Sequence, residues 1–366
     1  MTHRLRAAII GCGGIAERHA RGFSRSGRCA LVAGADPNPG NLQRCCDQNK
    51  IPGRYRDYHE MLLQEKPDIV AICTWTGSHP SILLDCAAAG VRGVLCEKPM
   101  AVSLSECDRM IEACAAAGTF LGIGHHLRFH PSMILAREWI QSDQIGTPLL
   151  MRSVTCDGLA NNASHRIDLA RFFLGDPAAA WAIGQVERTT DRYERGVMIE
   201  DRAIGEVEMF GSHRLLIESD LTRGPHRLLV VGDRGMLRVV DSSVHVQNPH
   251  GDWVELRQTP DQPDSWLAES LAAMIPRVDF SDQHESFLNW IEGGTQYSSH
   301  AGNGRAAIEC MAGLYESARQ RRRVSFPVSS LEYPLPDMVE SGQLPVEQPG
   351  AYDIRGGGPR WRSEKA

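Results

Sequence analysis

The sequence predicts an α/β fold in two parts: a doubly wound parallel sheet over residues 1–125, then an α+β domain over 126–327 with a large, mostly antiparallel sheet. Residues 328–366 read as an extended C-terminal tail. Three observations carry this expectation. Short apolar runs alternate with helical periods through the first 125 residues, the order that builds parallel strands with helices on both faces. The first run enters the turn Gly11-Cys12-Gly13-Gly14-Ile15-Ala16, and the second ends on Asp36. From Pro131 the texture changes to strand-like runs, several of them divided by glycine turns, with fewer helices.

The elements follow in order. Residues 6–10 read as a strand, 15–25 as a helix and 29–35 as the second strand, before Pro37 and Pro39 break the chain. Helices are expected over 42–49 and 59–66. The run 68–74 is almost wholly apolar, as a strand buried on both faces requires. A helix over 80–89 stops at Gly90, and a strand over 91–96 runs into Glu97-Lys98-Pro99. The capping box Ser103-x-x-Glu106 opens a helix that stops at Gly118, and a strand over 120–124 runs into His125-His126-Leu127-Arg128. In the second part a helix over 132–142 precedes strands over 149–155, 181–186, 203–210, 214–220, 227–231, 236–240 and 244–246. A helix over 165–174, closed by Gly175-Asp176-Pro177, interrupts them, and later helices cover 266–273, 283–292 and 304–319. The tail is rich in Pro, Gly and Ser without helical period.

Bulk properties narrow the function. A net charge of −6 and a pI near 6.2 argue against nucleic-acid binding driven by positive charge. The basic run 319–323 suits the dipole at the end of a helix. Of the eleven cysteines, many sit in strand or helix patterns and none forms a Cys-x-x-Cys pair. They read as buried thiols in a reducing compartment, not as a disulfide frame or zinc site. The N-terminus lacks an apolar signal core and no apolar run reaches about 18 residues, so a cytoplasmic protein without a membrane partner is expected.

The glycine turn has the spacing of a dinucleotide site. Gly11 permits the tight exit from the strand, Gly13 keeps side chains off a pyrophosphate, and Ala16 lets the helix pack against the sheet. The first-turn N–H groups of that helix would hold the phosphates. Asp36, about 20 positions beyond Ala16, can take the adenosine ribose hydroxyls. Its charge would repel a 2′-phosphate, which favours NAD over NADP.

Other candidates lie at strand ends, where ligands of such sheets bind. Thr74, Trp75 and His79 follow one strand and would pass near the nicotinamide ribose, although His79 before Pro80 also fits a helix cap. Glu97 and Lys98 follow the next strand, and Pro99 keeps Lys98 out of the α region. The Lys98–Pro99 bond is a candidate for cis geometry. A lysine there can stabilise a developing alkoxide, or can be an ordinary strand-end lysine. Arg128 could hold a substrate oxygen or the cofactor. His165 and Asp168 share a helix face, which suits a general base or an ordinary cap and ion pair. His125, His126 and His130 look like a metal cluster, but adjacent strand residues point to opposite faces, so no metal is expected.

Taken in order, these pieces resemble the glucose–fructose oxidoreductase, inositol dehydrogenase and rhizopine-catabolism (Gfo/Idh/MocA) family. The matching segments are residues 11–16, Asp36, Thr74 with His79, Cys96-Glu97-Lys98-Pro99, Arg128-Phe129-His130-Pro131, His165-x-Ile-Asp168-Leu169-Ala-Arg171 with Gly175, and a closing helix over 304–319. The resemblance covers roughly residues 5–327. It implies an NAD(P)-linked oxidoreductase of a sugar, cyclitol or related polyol, with Lys98 the catalytic lysine and His165 the acid/base. It also implies an open-faced second-domain sheet used for dimers or tetramers. The family usually carries Asp four residues before that histidine; this chain has Asn161, which cannot take a proton as a carboxylate would. Either His165 works without that partner, or Asp157 or Asp168 replaces it, or the chemistry is altered.

The expected enzyme oxidises a secondary alcohol: His165 accepts the hydroxyl proton, Lys98 stabilises the oxygen, and Asn161 and Arg128, with Asp168 nearby, orient the substrate. Two other readings remain open. One is an enzyme that retains NAD and recycles the hydride, with elimination or glycoside cleavage through a keto-sugar. The other is a nucleotide-binding sensor without catalysis.

Overall fold

The computed structural model describes residues 4–222, 227–258, 265–279 and 281–354. The chain divides into two compact units, Met1–His125 with Ser281–Arg305, and His126–Phe280 with Ala306–Ala366.

The first unit is built on six parallel strands: β1 (Leu5–Ile10), β2 (Cys29–Ala35), β3 (Gly53–Tyr55), β4 (Ile69–Ile72), β5 (Gly93–Cys96) and β6 (Phe120–Ile123). They lie in the order β3-β2-β1-β4-β5-β6, so the order reverses between β1 and β4, the switch point at which such sheets bind ligands. β4 and β5 are buried at every residue, which explains their unbroken apolar sequences. The helices are α1 (Ala16–Arg25), α2 (Pro39–Asn49), α3 (Tyr58–Glu65), α4 (His79–Ala88) and α5 (Leu104–Ala117). Their ends follow local chemistry. Asn38 caps α2 through the Gly40 and Asn41 amides, Asp57 caps α3, and the Ser103–Glu106 capping box closes on α5. Gly118 ends α5 in the left-handed region at φ 69°.

The second unit holds α6 (Pro131–Gln141) and then β7 (Pro148–Thr155), α7 (Ser164–Phe173), β8 (Ala179–Glu187), β9 (Thr190–Glu194), β10 (Val197–Met198), β11 (Arg202–Met209) and β12 (His213–Ser219). β13 (Arg227–Gly232), β14 (Met236–Val240), β15 (Ser243–Gln247), β16 (Trp253–Glu255) and α8 (Ser265–Met274) follow. Nine strands form one sheet in the order β16-β15-β14-β13-β7-β12-β11-β8-β17, where β17 is Val324–Ser325. All its pairings are antiparallel except β7 with β12. Ala182, Val207, Leu215, Val230 and Val239 are buried on one face, while Ile183 and Ile204 remain 46% exposed on the other. The period of two therefore buries one face and leaves one open.

Three features depart from the sequence expectation. First, α9 (Gln283–Ile291), expected in the second domain, belongs to the first unit. Phe287 and Ile291 press on Gly93, and Phe287 with Tyr297 on Gly122; a Cβ on either glycine would come within 2.3–3.0 Å of those side chains. Periodicity shows that a helix has a buried face, not what covers it. Second, the tail is structured: after α10 (Ala301–Gln320) and β17, α11 (Pro334–Glu340) and β18 (Gln348–Asp353) follow. β18 joins β9 and β10 in a three-stranded sheet. Short, proline-bearing elements leave no periodic signal of their own. Third, β3 is three residues long, too short for a pattern to reveal. Residues 355–366 of the expected tail lie outside the described residues.

Candidate functional site

The first unit carries the cofactor candidates and Lys98, and the second carries Arg128, Asn161, His165 and Asp168. In the first, β1 leaves the sheet through Gly11 at φ +87°. A Cβ there would lie 2.8 Å from the Cys73 carbonyl carbon and the Thr74 nitrogen, so only glycine fits. Around Cβ positions built on Gly13 and Gly14 nothing lies within 4 Å, leaving the outer face of the turn open. Ile15 precedes α1, Ala16 is fully buried, and no side chain caps the helix, whose anion-attracting end therefore faces that space.

Asp36, at the end of β2, is 9% exposed. Its Oδ2 accepts the Cys12 N–H at 2.7 Å and its Oδ1 the Asn38 N–H at 2.8 Å. The carboxylate is thus aimed by the backbone of the glycine turn itself. An NAD pyrophosphate over the open turn and ribose hydroxyls at Asp36 fit this geometry.

Beyond β4, the Thr74 Oγ1 accepts the Ser78 hydroxyl at 2.8 Å, and Trp75 is 60% exposed. His79 is wholly buried. Its ring nitrogens lie 3.0 Å from the Pro99 carbonyl and 3.1 Å from the Thr74 carbonyl, and burial lowers its pKa below the usual histidine value. It ties two strand-end turns together.

Beyond β5, Glu97 is buried and Lys98 half-buried, and the Lys98–Pro99 bond is cis. The Glu97 Oε1 lies 2.8 Å from the His19 Nε2, and its Oε2 accepts the Lys98 backbone N–H at 3.1 Å. Burial pushes the Glu97 carboxyl up, but the His19 hydrogen bond and the charges of His19 and Lys98 bring it down to about 2. His19 Nδ1 lies 3.1 Å from His284 Nε2 on α9. Sequence reasoning missed this buried His284–His19–Glu97 chain. Its signal was present in part: His19 shares the inward face of α1 with Ala16, Ala20 and Phe23.

In the second unit the candidates gather around the start of α7. Asp157 (φ 66°) and Gly158 (φ 84°) turn the chain into a single π-helical turn, Leu159–Ala163, that runs directly into α7. π turns are uncommon and often mark functional positions. The Gly158 N–H donates to Asp220 at 3.0 Å, the Leu159 N–H to Glu200 at 2.7 Å, and the Ser164 hydroxyl to the Asn161 carbonyl at 2.5 Å. Asn161 is buried, and His165 is half-buried with its ring edge-on to His126, centroids 5.0 Å apart.

Arg128 and Asp168 depart from their expected roles. Arg128 is 1% exposed; its Nε and Nη2 hold the two Asp168 oxygens at 2.8 and 2.7 Å, and its Nη1 and Nη2 hold Asp176 at 2.9 and 2.7 Å. The strand-end arginine is an internal clamp on α7, and Asp168 turns to it. Asp157, the other candidate partner for His165, accepts the Asn162 amide at 3.3 Å. Among the described residues, no group of three or more His, Cys, Asp or Glu is arranged to hold a metal ion, and no helix is long and apolar enough to cross a membrane.

Comparison with known proteins adds three findings. Residues 5–125 match the model of an oxidoreductase family with an NAD-binding Rossmann fold, and residues 153–326 match that family's C-terminal α/β domain. D-apiose dehydrogenase of Paraburkholderia graminis is 25% identical, with 93% of this chain and 95% of that protein aligned. Myo-inositol 2-dehydrogenase of Thermotoga maritima is 27% identical, but the match spans 47% of this chain and about half, 55%, of that protein. The WlbA dehydrogenase of Bordetella pertussis, solved with NADH and UDP-GlcNAcA, shares the fold at TM-score 0.71 and 21% identity, over 89% of this chain and all of that one.

Proposed function

The chain belongs to the Gfo/Idh/MocA oxidoreductase family, with the NAD-binding Rossmann fold in residues 5–125, and we propose that it is an NAD-dependent dehydrogenase of a secondary alcohol on a sugar, cyclitol or related polyol. The observation that carries this reading is the placement of Asp36, held at the end of β2 by the Cys12 and Asn38 amides beside an open glycine turn. The names of the relatives, D-apiose dehydrogenase and myo-inositol 2-dehydrogenase, support the substrate class.

When bound, NAD supplies the hydride acceptor. Residues 11–16 and the start of α1 hold its pyrophosphate, and Asp36 holds the ribose hydroxyls while excluding a 2′-phosphate. His165 accepts the hydroxyl proton on its imidazole, a group suited to proton transfer near neutral pH. The Lys98 ammonium stabilises the oxygen as it gains charge. Asn161 supplies hydrogen bonds and no proton acceptor, which leaves that role to His165. Arg128 and Asp168 act one layer behind, fixing α7 and hence the ring of His165. The open sheet face with Ile183 and Ile204 is read as the surface on which copies of the chain associate.

The test follows the near-ultraviolet band of reduced nicotinamide in purified protein given NAD and a panel of sugars, cyclitols and sugar acids. Steady accumulation with one compound class supports the dehydrogenase. Co-purified cofactor that changes once, without accumulation, replaces it with the hydride-recycling enzyme. Failure to bind any nucleotide removes the reading altogether.

A further inference from the structure

The family match ends at residue 326, yet the chain continues into α11 and β18 on the second unit. This tail is fastened along its length. Gln343 donates to the Ala318 and Arg319 carbonyls at 3.2 and 3.0 Å, the Glu347 and Gln348 amides both donate to the Thr189 carbonyl, and β18 pairs in parallel with β9.

Tyr333, half-buried just before α11, begins a chain of polar groups that leads into the core of the second unit. Its hydroxyl donates to the Met198 carbonyl at 2.8 Å and lies 3.4 Å from the Tyr315 hydroxyl; the two rings meet edge-on at 5.3 Å. The Tyr315 hydroxyl donates to the Glu200 Oε2 at 2.5 Å, and the Glu200 Oε1 accepts the Leu159 N–H at 2.7 Å. Glu200 is wholly buried and Tyr315 is 1% exposed. The chain therefore ends on the first residue of the π turn that carries Asn161 and feeds into His165.

That turn needs support from outside itself. A lone π turn is an uncommon conformation, and here it is entered through Asp157 at positive φ. A carboxylate is an unusual group to bury, and Glu200 is kept there by donors on both of its oxygens.

We propose that the tail is a positioning element of the substrate site: the Tyr333 ring packs edge-on against the Tyr315 ring and fixes it, the Tyr315 hydroxyl fixes Glu200, and Glu200 fixes the Leu159 amide, setting the backbone from which Asn161 and His165 project. Tyr333, Tyr315 and Glu200 are positioning residues and touch no substrate. The proposal rests on the reading of Asn161 and His165 as substrate-facing groups.

The experiment compares the full chain with Tyr333→Leu, Tyr315→Phe and Glu200→Gln by hydrogen exchange and by kinetics. Tyr315→Phe keeps the ring and removes the hydroxyl that donates to Glu200, and Tyr333→Leu removes the tail's ring from Tyr315, so together they carry the test even if Glu200→Gln fails to fold. The expected result is faster exchange confined to residues 159–163, by about 3- to 10-fold for one lost hydrogen bond. KM for the polyol should rise by a similar factor, with NAD affinity unchanged. Exchange in 159–163 that does not move, or that rises equally across the second unit, overturns the proposal. Local exchange that rises in a chain oxidising no polyol leaves the positioning role standing and removes the proposed function instead.

Discussion

Arg128 grips Asp168 through two hydrogen bonds of 2.8 and 2.7 Å, with both side chains buried. A planar guanidinium matched to a carboxylate in this way is a strong, geometrically specific contact, and here it joins the turn before α6 to the middle of α7. Removing one partner leaves an uncompensated buried charge. Arg128→Met should therefore lose about 3–5 kcal/mol of stability, read from urea unfolding. Arg128→Met combined with Asp168→Asn should lose less than Arg128→Met alone. A single-variant loss below about 1 kcal/mol would show that the clamp does not hold α7.

Lys98→Ala separates binding from chemistry. If the ammonium stabilises the reacting oxygen, turnover should fall by about 10²- to 10³-fold. NAD affinity, measured by calorimetry, should stay within a few-fold. Equal losses in both would move Lys98 from the chemistry to the cofactor site.

Asp36→Ala tests cofactor choice. The change removes the proposed ribose acceptor and the negative charge together, and strands the Cys12 and Asn38 amides. NAD binding should weaken by about 10-fold or more, while the ratio of NADP to NAD affinity rises. An unchanged ratio would show that Asp36 does not read the ribose.

Acid should destabilise the first unit in two steps. His284 is buried against His19, with Asp282, Arg18 and Arg25 nearby; burial and the neighbouring His19 lower its pKa from 6.5 to about 3. Its folded form resists protonation, so its stabilisation is complete above pH 6.5 and is lost as pH falls toward 3. Glu97, lowered from 4.5 to about 2, adds a loss only below pH 4.5. Between pH 6.5 and 4.5 His284 and the buried His79, whose pKa burial also lowers, both contribute, each with a slope up to about 1.4 kcal/mol per pH unit. His284→Asn should reduce the slope of urea midpoints in that window to the part His79 leaves, and keep the lower window sloping. An unchanged slope would mean that His284 is protonated in the folded chain.

Gly22→Ala reverses an ordinary rule. In a helix interior alanine exceeds glycine by about 1 kcal/mol. A Cβ at Gly22, however, would lie 2.1 Å from His284 Nδ1, and that ring is held by His19 and Phe23. The variant should melt below the parent chain; a higher melting temperature would show that α1 and α9 separate without cost.

The residues that were legible in the sequence are those whose signal is local. The Ser103–Glu106 box acts within a few positions of chain, and Gly11 and Asp36 stand at a set spacing within one strand–helix–strand run, so pattern and spacing locate them. Alternation likewise revealed the large sheet, because one buried face imposes a period of two. What stayed hidden depends on distant partners. Arg128 read as a substrate group because nothing in its neighbourhood shows that Asp168 and Asp176 meet it. His19 passed unnoticed because its partner His284 lies 265 positions away. Asp157 and Gly158 gave no warning of the π turn, since positive φ at an aspartate is set by the Asp220 and Glu200 side chains that hold the following amides.

The return of residues 281–305 to the first unit has a consequence for synthesis. All six strands of the parallel sheet have left the ribosome once residue 123 has emerged, and a nascent chain ordinarily begins to fold by whole units. Here the bare glycines at 93 and 122 wait for Phe287, Ile291 and Tyr297, and the Ile123 amide waits for the Ser299 carbonyl. The nucleotide-binding unit cannot close until most of the second unit has been translated. A chain interrupted anywhere before residue 305 therefore leaves both units unfinished.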